Sequence, residues 1–271
     1  MNKLTLVLVT FLLGLAACSP SKNAASGKVE ANACSSGIVN GKSVIKEDPL
    51  AKKVVLLMMA DKNKNYSTCT GTPIADDVIL TAAHCVKEAV VVSAIFKTAL
   101  CENDQLKKEE FIIATDWKYH SKYKGIGGND VAIVKLSRSI PSDYQASKVF
   151  DGKSEITSNT LTLVGYGRTF EKDEGLPQLR KTYKTLKQEV GLTDDPESDI
   201  LVIDQETTGI CNGDSGGPVF IEANYELQVV GVNSFVSNPD DPSKSCHKFG
   251  GATFMPPHLA WLTEVTGLNF N

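Results

Sequence analysis

Cys211-Asn212-Gly213-Asp214-Ser215-Gly216-Gly217-Pro218 sets a serine in a glycine-rich loop, and the apolar run Pro218–Ile221 leads straight out of it. This alternation of turn-forming cluster and short apolar run recurs through the chain. From Ile38 onward it includes Val54–Met59, Val78–Thr81, Phe111–Ala114, Val131–Leu136, Leu161–Val164, Ile200–Ile203 and Leu227–Val232, separated by Gly, Asp, Asn and Pro. Many short strands with turn signals between them predict an all-β sandwich or barrel. Helical spacing is confined to the end. There Pro256-Pro257 precedes His258–Val265, with Leu259, Leu262 and Val265 recurring along one face and Trp261 adding apolar bulk.

The loop around Ser215 also carries chemistry. Glycines let its backbone amides approach a substrate closely. Peptide hydrolysis needs a nucleophile, a base to take its proton, a group to orient that base, and donors for the oxyanion. Two further segments supply the missing parts. Thr81-Ala82-Ala83-His84-Cys85 places a histidine at the end of an apolar strand, and Asn129-Asp130-Val131-Ala132-Ile133-Val134-Lys135-Leu136 places an acid at the head of another. His120, His247 and His258 have no such setting and read as structural or solvated. Asp240 and Asp241, between Pro239 and Pro242, read as a solvated loop.

In the order His, Asp, Ser, these three segments resemble the signatures of the chymotrypsin/trypsin-like serine proteases. The similarity spans nearly all of residues 38–271. Ile38-Val39-Asn40-Gly41 resembles the family's mature N-terminus, Gly165-Tyr166-Gly167 its Gly-Trp-Gly, and Val232-Asn233-Ser234-Phe235 the strand lining its cleft. The resemblance implies two packed six-stranded antiparallel β-barrels, a catalytic cleft between them and a C-terminal helix. It implies attack by Ser215, proton transfer through His84, orientation by Asp130 with Ser234 beside it, and an oxyanion hole of the Gly213 and Ser215 amides. The implied substrate is a polypeptide, with no cofactor, no metal and a monomeric enzyme. It further implies Cys69–Cys85 and Cys211–Cys246 disulfides. Activation would follow cleavage after Gly37, freeing the Ile38 amine to pair with Asp214.

Several positions depart from that pattern. Trypsin-type enzymes select Arg and Lys with an aspartate six residues before the nucleophile; here Gly209 stands there, followed by Ile210. An uncharged P1 residue is therefore expected, in a pocket shared with Ser234, Phe235 and Val236, the last narrowing it. Asn238–Pro242 looks inserted ahead of the far wall near Gly250-Gly251-Ala252, and Thr70 replaces a frequent glycine, a minor change. Two rival functions remain. Gly213–Gly217 also satisfies the nucleophile-elbow pattern of α/β-hydrolase esterases, with Asp240 and His258 in the required order but without the helices that fold needs. A silent binding protein on a protease scaffold would be expected to have lost a triad member, and none is lost.

The chain has 271 residues, 42% hydrophobic and 22% charged, which are globular proportions. A net charge of −4 and a pI near 5.6 give no general attraction to nucleic acid. Lys3 and the apolar run Leu4–Leu15, ending in Ala16-Ala17, read as a secretory signal over residues 1–17. Leu15-Ala16-Ala17-Cys18 resembles the bacterial lipobox, so Cys18 is expected to carry lipid. Residues 18–37 then form a tether and propeptide, and residues 38–271 the protease domain. The protein is expected at a bacterial cell envelope or secreted; Ser19 after Cys18 favours the outer membrane. Of seven cysteines, six remain after Cys18. Six cysteines allow 15 pairings. Once the family's two pairs are set aside, Cys34 and Cys101 are left to each other.

Overall fold

The computed structural model describes residues 37–102, 104–125, 128–192 and 199–270. The leader, Cys18 and Cys34 lie outside the described residues. Strand β1 (Lys42–Ser43) precedes a closed six-stranded antiparallel barrel. The barrel comprises β2 (Val55–Asp61), β3 (Tyr66–Ala75), β4 (Val78–Thr81), β5 (Ala89–Ile95), β6 (Phe111–Tyr119) and β7 (Ala132–Leu136), in the order β2-β3-β4-β7-β6-β5. Closure leaves no unpaired edge. Leu57, Ile79, Val92 and Val134 fill its interior, while Leu80 and Ile95 on the opposite faces of their strands are buried as well.

The second half is built from β8 (Lys148–Val149), β9 (Ile156–Gly165), β10 (Arg180–Thr185), β11 (Val190–Leu192), β12 (Ile200–Asp204), β13 (Pro218–Ala223), β14 (Glu226–Ser237) and β15 (Phe249–Phe254). With β1 these form one nine-stranded sheet along the path β1-β10-β9-β13-β14-β15-β12-β11, with β8 beside β14. The expected second six-stranded barrel is thus an open sheet curled around Leu161, Leu163, Val219, Ile221 and Val230. Its terminal strands β1 and β11 hold two and three residues. Strands that short offer few backbone groups with which to close a ring.

Among the described residues two short α-helices accompany the strands. The single turn α1 (Ala83–Val86) follows β4 and carries His84 outward while Cys85 and Val86 turn into the barrel core. The expected C-terminal helix is α2 (Leu259–Thr266), which buries Leu259 and Leu262 and ends at Gly267, whose φ of 72° forms a left-handed cap.

Candidate active site

Asp130 reaches the site from the loop that enters β7, and the apolar strand behind it buries its carboxylate at 2% exposure. An isolated buried carboxylate is costly unless its oxygens are bonded. Here Oδ1 accepts the His84 backbone N–H at 2.9 Å, and Oδ2 lies 2.7 Å from His84 Nδ1. Oδ2 also accepts Ser234 Oγ at 2.5 Å. With Nδ1–H donated to Asp130, the other ring nitrogen, Nε2, is left as the basic one. His84 itself is partly exposed, at the rim of a cleft of about 290 Å³. Ser215, Ser234, Phe235, Val236 and Ile210 line the same cleft. Ser215 Oγ makes no hydrogen bond among the described residues. In sites without substrate, nucleophile–base contacts are commonly long and tighten on binding.

The serine loop is held from the first barrel. Thr70, wholly buried on β3, donates its Oγ1 to Gly213 O at 2.9 Å and accepts Tyr166 N–H at 3.0 Å. Its backbone N–H donates to Ser215 O at 2.8 Å. Glycine could supply only the last of these bonds, so Thr70 is more than the minor change the sequence suggested. With both carbonyls engaged, the Gly213 and Ser215 N–H groups have no partner among the described residues. Two unpartnered amides on either side of Asp214 are of the kind that bind a developing oxyanion.

Asp214 points away from the cleft and is wholly buried. Gly167 N–H and Cys211 N–H donate to it at 2.8 Å each, and the backbone N–H of Ile38 is a third donor. Burial nevertheless dominates these bonds and pushes the carboxyl up to about 7. Ile38 is itself fully buried while still joined to Gly37, and its φ is 28°. For a β-branched residue this backbone conformation is a true outlier, of the kind that costs about 1–3 kcal/mol. Gly37 has φ 143°, and any Cβ there would strike Gln178 O.

The remaining expectations divide. Cys69–Cys85 and Cys211–Cys246 are bonded. Cys101 is disulfide-bonded as well, while its expected partner Cys34 lies outside the described residues. Gly209 does not face the cleft; it is buried, and its N–H and O both bond Val39. The esterase constellation does not assemble. His258 Nε2 lies 2.6 Å from Asp199 Oδ2, and Asp240 pairs with Lys248 on the surface. Burial works against the Asp199 charge, but the His258 ring and Asn129 N–H outweigh it and hold the carboxyl below its usual range.

Two cleft residues escaped the sequence reading, Tyr123 and Asn212. Burial and the nearby Asp130 charge push the Tyr123 phenol above its usual value, so it stays a neutral group facing the cleft. No local pattern marks Tyr123, which lies in the β6–β7 connection.

Comparison with known proteins bears on the family and the fold. A family model described as Trypsin matches residues 46–254. Chymotrypsin-like elastase family member 1 of Rattus norvegicus is 26% identical over 219 residues, 74% of this chain and 79% of that protein. Serine protease SP24D of Anopheles gambiae is 28% identical over 203 residues, covering 73% and 71%. Brachyurin of Leptuca pugilator is 25% identical over 209 residues, covering 74% and 88%. Among solved structures, HL collagenase superposes with a TM-score of 0.67 at 25% identity, over 86% of this chain and all of that one.

Proposed function

Because the chain belongs to the trypsin family of serine endopeptidases, we propose that it cleaves polypeptides with Ser215 as nucleophile, His84 as base and Asp130 as the group that orients His84. One observation carries the assignment: Asp130 is buried and bonded twice to His84, in the cleft that Ser215 lines. Ser215 Oγ would attack the scissile carbonyl as His84 Nε2 takes its proton. The imidazolium, stabilised by Asp130, would then return that proton to the leaving amine. The Gly213 and Ser215 amides would receive the oxyanion, each contributing about 3–4 kcal/mol to lowering the barrier. A second cleft of about 550 Å³, lined by Gly213 among others, meets the first at Asn212. Open space on both sides of the reacting carbonyl suits an internal bond of a longer chain. A fluorophosphonate probe should label Ser215; a protein that stays unlabelled would be the silent binding scaffold instead.

Among the described residues the one carboxylate lining the cleft is Asp130, which is already bonded to His84 and Ser234, so the preferred P1 residue is uncharged. A cation placed there would lose its water without gaining a partner, at a cost of several kcal/mol. Peptide substrates with P1 alanine or valine are expected to turn over at least 100-fold faster than the arginine analogue. Comparable kcat/KM values would contradict this.

Activation is assigned to cleavage after Gly37. The strain at Ile38 lies next to that bond, and cutting it would convert a neutral N–H donor to Asp214 into an ammonium. Small residues before the cut suit a protease with a small P1 pocket, and this enzyme is itself a candidate.

We assign Cys18 as a lipid-bearing N-terminus that holds the enzyme at a bacterial envelope, with a Cys34–Cys101 bond keeping the cleaved body attached. Two or more acyl chains suffice for stable anchoring, where one is marginal. Cys18→Ser should therefore move the protein from the membrane to the soluble fraction, and cleaved wild-type protein should follow only after reduction. Release of the cleaved body without reductant would sink the tether.

A further inference from the structure

Gln205 follows β12 and is wholly buried. Its backbone N–H donates to Lys248 O at 2.9 Å. Its side-chain amide is used up inside the protein. Oε1 accepts Ile210 N–H at 2.7 Å, and Nε2 donates to Ile210 O and to Cys246 O at 3.2 Å each. The amide fills space that two glycines leave open. A Cβ on Gly209 would come within 2.5 Å of Gln205 Cγ and Oε1, and one on Gly250 within 2.5 Å of the same Oε1. Gly250 lies opposite Val236 in the β14–β15 pairing. Val236 and Ile210 line the cleft, while Gly209 and Gly250 do not. Gln205 is not itself a lining residue; it stands behind Ile210, whose backbone N–H and O it bonds.

We propose that Gln205 is the floor of the P1 pocket and the residue that restricts P1 to short, uncharged aliphatic side chains. The inference rests on the reading of this cleft as the substrate site. Its first ground is steric. Glycine at 209 and 250 would by itself leave a deep pocket, and the amide occupies that depth. The second ground is polar. Both Nε2 hydrogens and one Oε1 lone pair are bonded to the backbone, so the floor offers a polar P1 group little to replace its lost water. The bonds to Ile210 and Cys246 also fix the amide, so it resists displacement by a longer side chain.

A series of peptide p-nitroanilides differing only at P1 tests this: alanine, 2-aminobutyrate, norvaline, norleucine and phenylalanine. One methylene in an apolar pocket changes kcat/KM by about 10- to 200-fold, enough to locate a floor. For the active wild-type enzyme, kcat/KM should peak by norvaline and fall at least about 10-fold by norleucine and phenylalanine. In Gln205→Ala the optimum should move to longer chains, raising the norleucine-to-alanine ratio at least about 10-fold. A wild-type profile that keeps rising through phenylalanine overturns the proposal, as does an unchanged ratio in the variant. Should Gln205→Ala not fold, the wild-type series decides alone. Fluorophosphonate labelling separates the two levels of the argument. Labelled enzyme with a flat P1 profile removes only Gln205, whereas unlabelled protein that hydrolyses none of the series removes the peptidase reading beneath it.

Discussion

Ser215→Ala is expected to lower peptidase turnover by about 10⁶-fold, because the nucleophile and its base act as a unit. His84→Ala should lose a similar amount, and the double variant little more than either one. The fold should survive both changes. Ser215 Oγ has no hydrogen-bond partner among the described residues, and the backbone bond from Thr70 N–H to Ser215 O does not depend on the side chain. His84 is partly exposed, so its loss leaves no closed cavity. Turnover of a peptide substrate, with circular dichroism as the control for folding, checks both. Retention of more than about one part in 10³ by either variant would dismiss the triad, since that residue would then lie outside the cooperating unit.

Cleavage after Gly37 should change how stability depends on pH, and the effect should be large. In the uncut chain the carboxyl of Asp214 sits at about 7, against an ordinary value of 3.8. Because the folded value is raised, the stabilisation is fully present below pH 4. It is lost progressively as pH rises, and gone above about 7. A shift of this size corresponds to about 4 kcal/mol, or a fall in Tm of about 10 °C for a domain of this length. Hydrolysis gives the cut chain two new groups, a carboxylate on Gly37 and an ammonium on Ile38, and it is the ammonium that faces Asp214. That charge favours ionised Asp214 and raises the amine above its ordinary value near 8, against the opposing effect of burial. The cut form should therefore keep its stability through pH 7 and lose it only as pH rises through the raised amine value. Thermal unfolding of both forms between pH 4 and pH 9 reads the difference, since every side-chain carboxylate is common to the two and the new Gly37 carboxylate has an ordinary value below this range. Parallel curves would show that the amine and Asp214 do not pair, and activation by cleavage would fall with them.

The all-β class was legible because its strand cores are continuous apolar runs. Val78–Thr81 and Ile200–Asp204 were found almost to the residue. Arg180–Thr185 escaped, because three of its six residues are basic and carry no apolar signal. Phe249–Phe254 escaped because two glycines occupy its interior. Both are strands because sheet neighbours pair their backbones, which needs no particular side chain. The openness of the second sheet was hidden for the same reason. Closure depends on which strand ends meet, and no local stretch records that.

The site divides along the same line. Sequence by itself determined the chemical parts and the family: a serine in a glycine-rich loop, a histidine ending one strand, an acid opening another, and the absence of a carboxylate at Gly209. These are local properties, written in contiguous residues. Tertiary structure alone decided what surrounds them. It turned Thr70 into the tie that fixes the serine loop, brought Tyr123 to the cleft and laid Gln205 against Gly209 and Gly250. Thr70 and Gly213 are 143 residues apart, so no window of sequence contains their bond. The physical reason is that a buried polar group must find its partner wherever the fold brings one within about 3 Å, and that distance is set by packing, not by order along the chain.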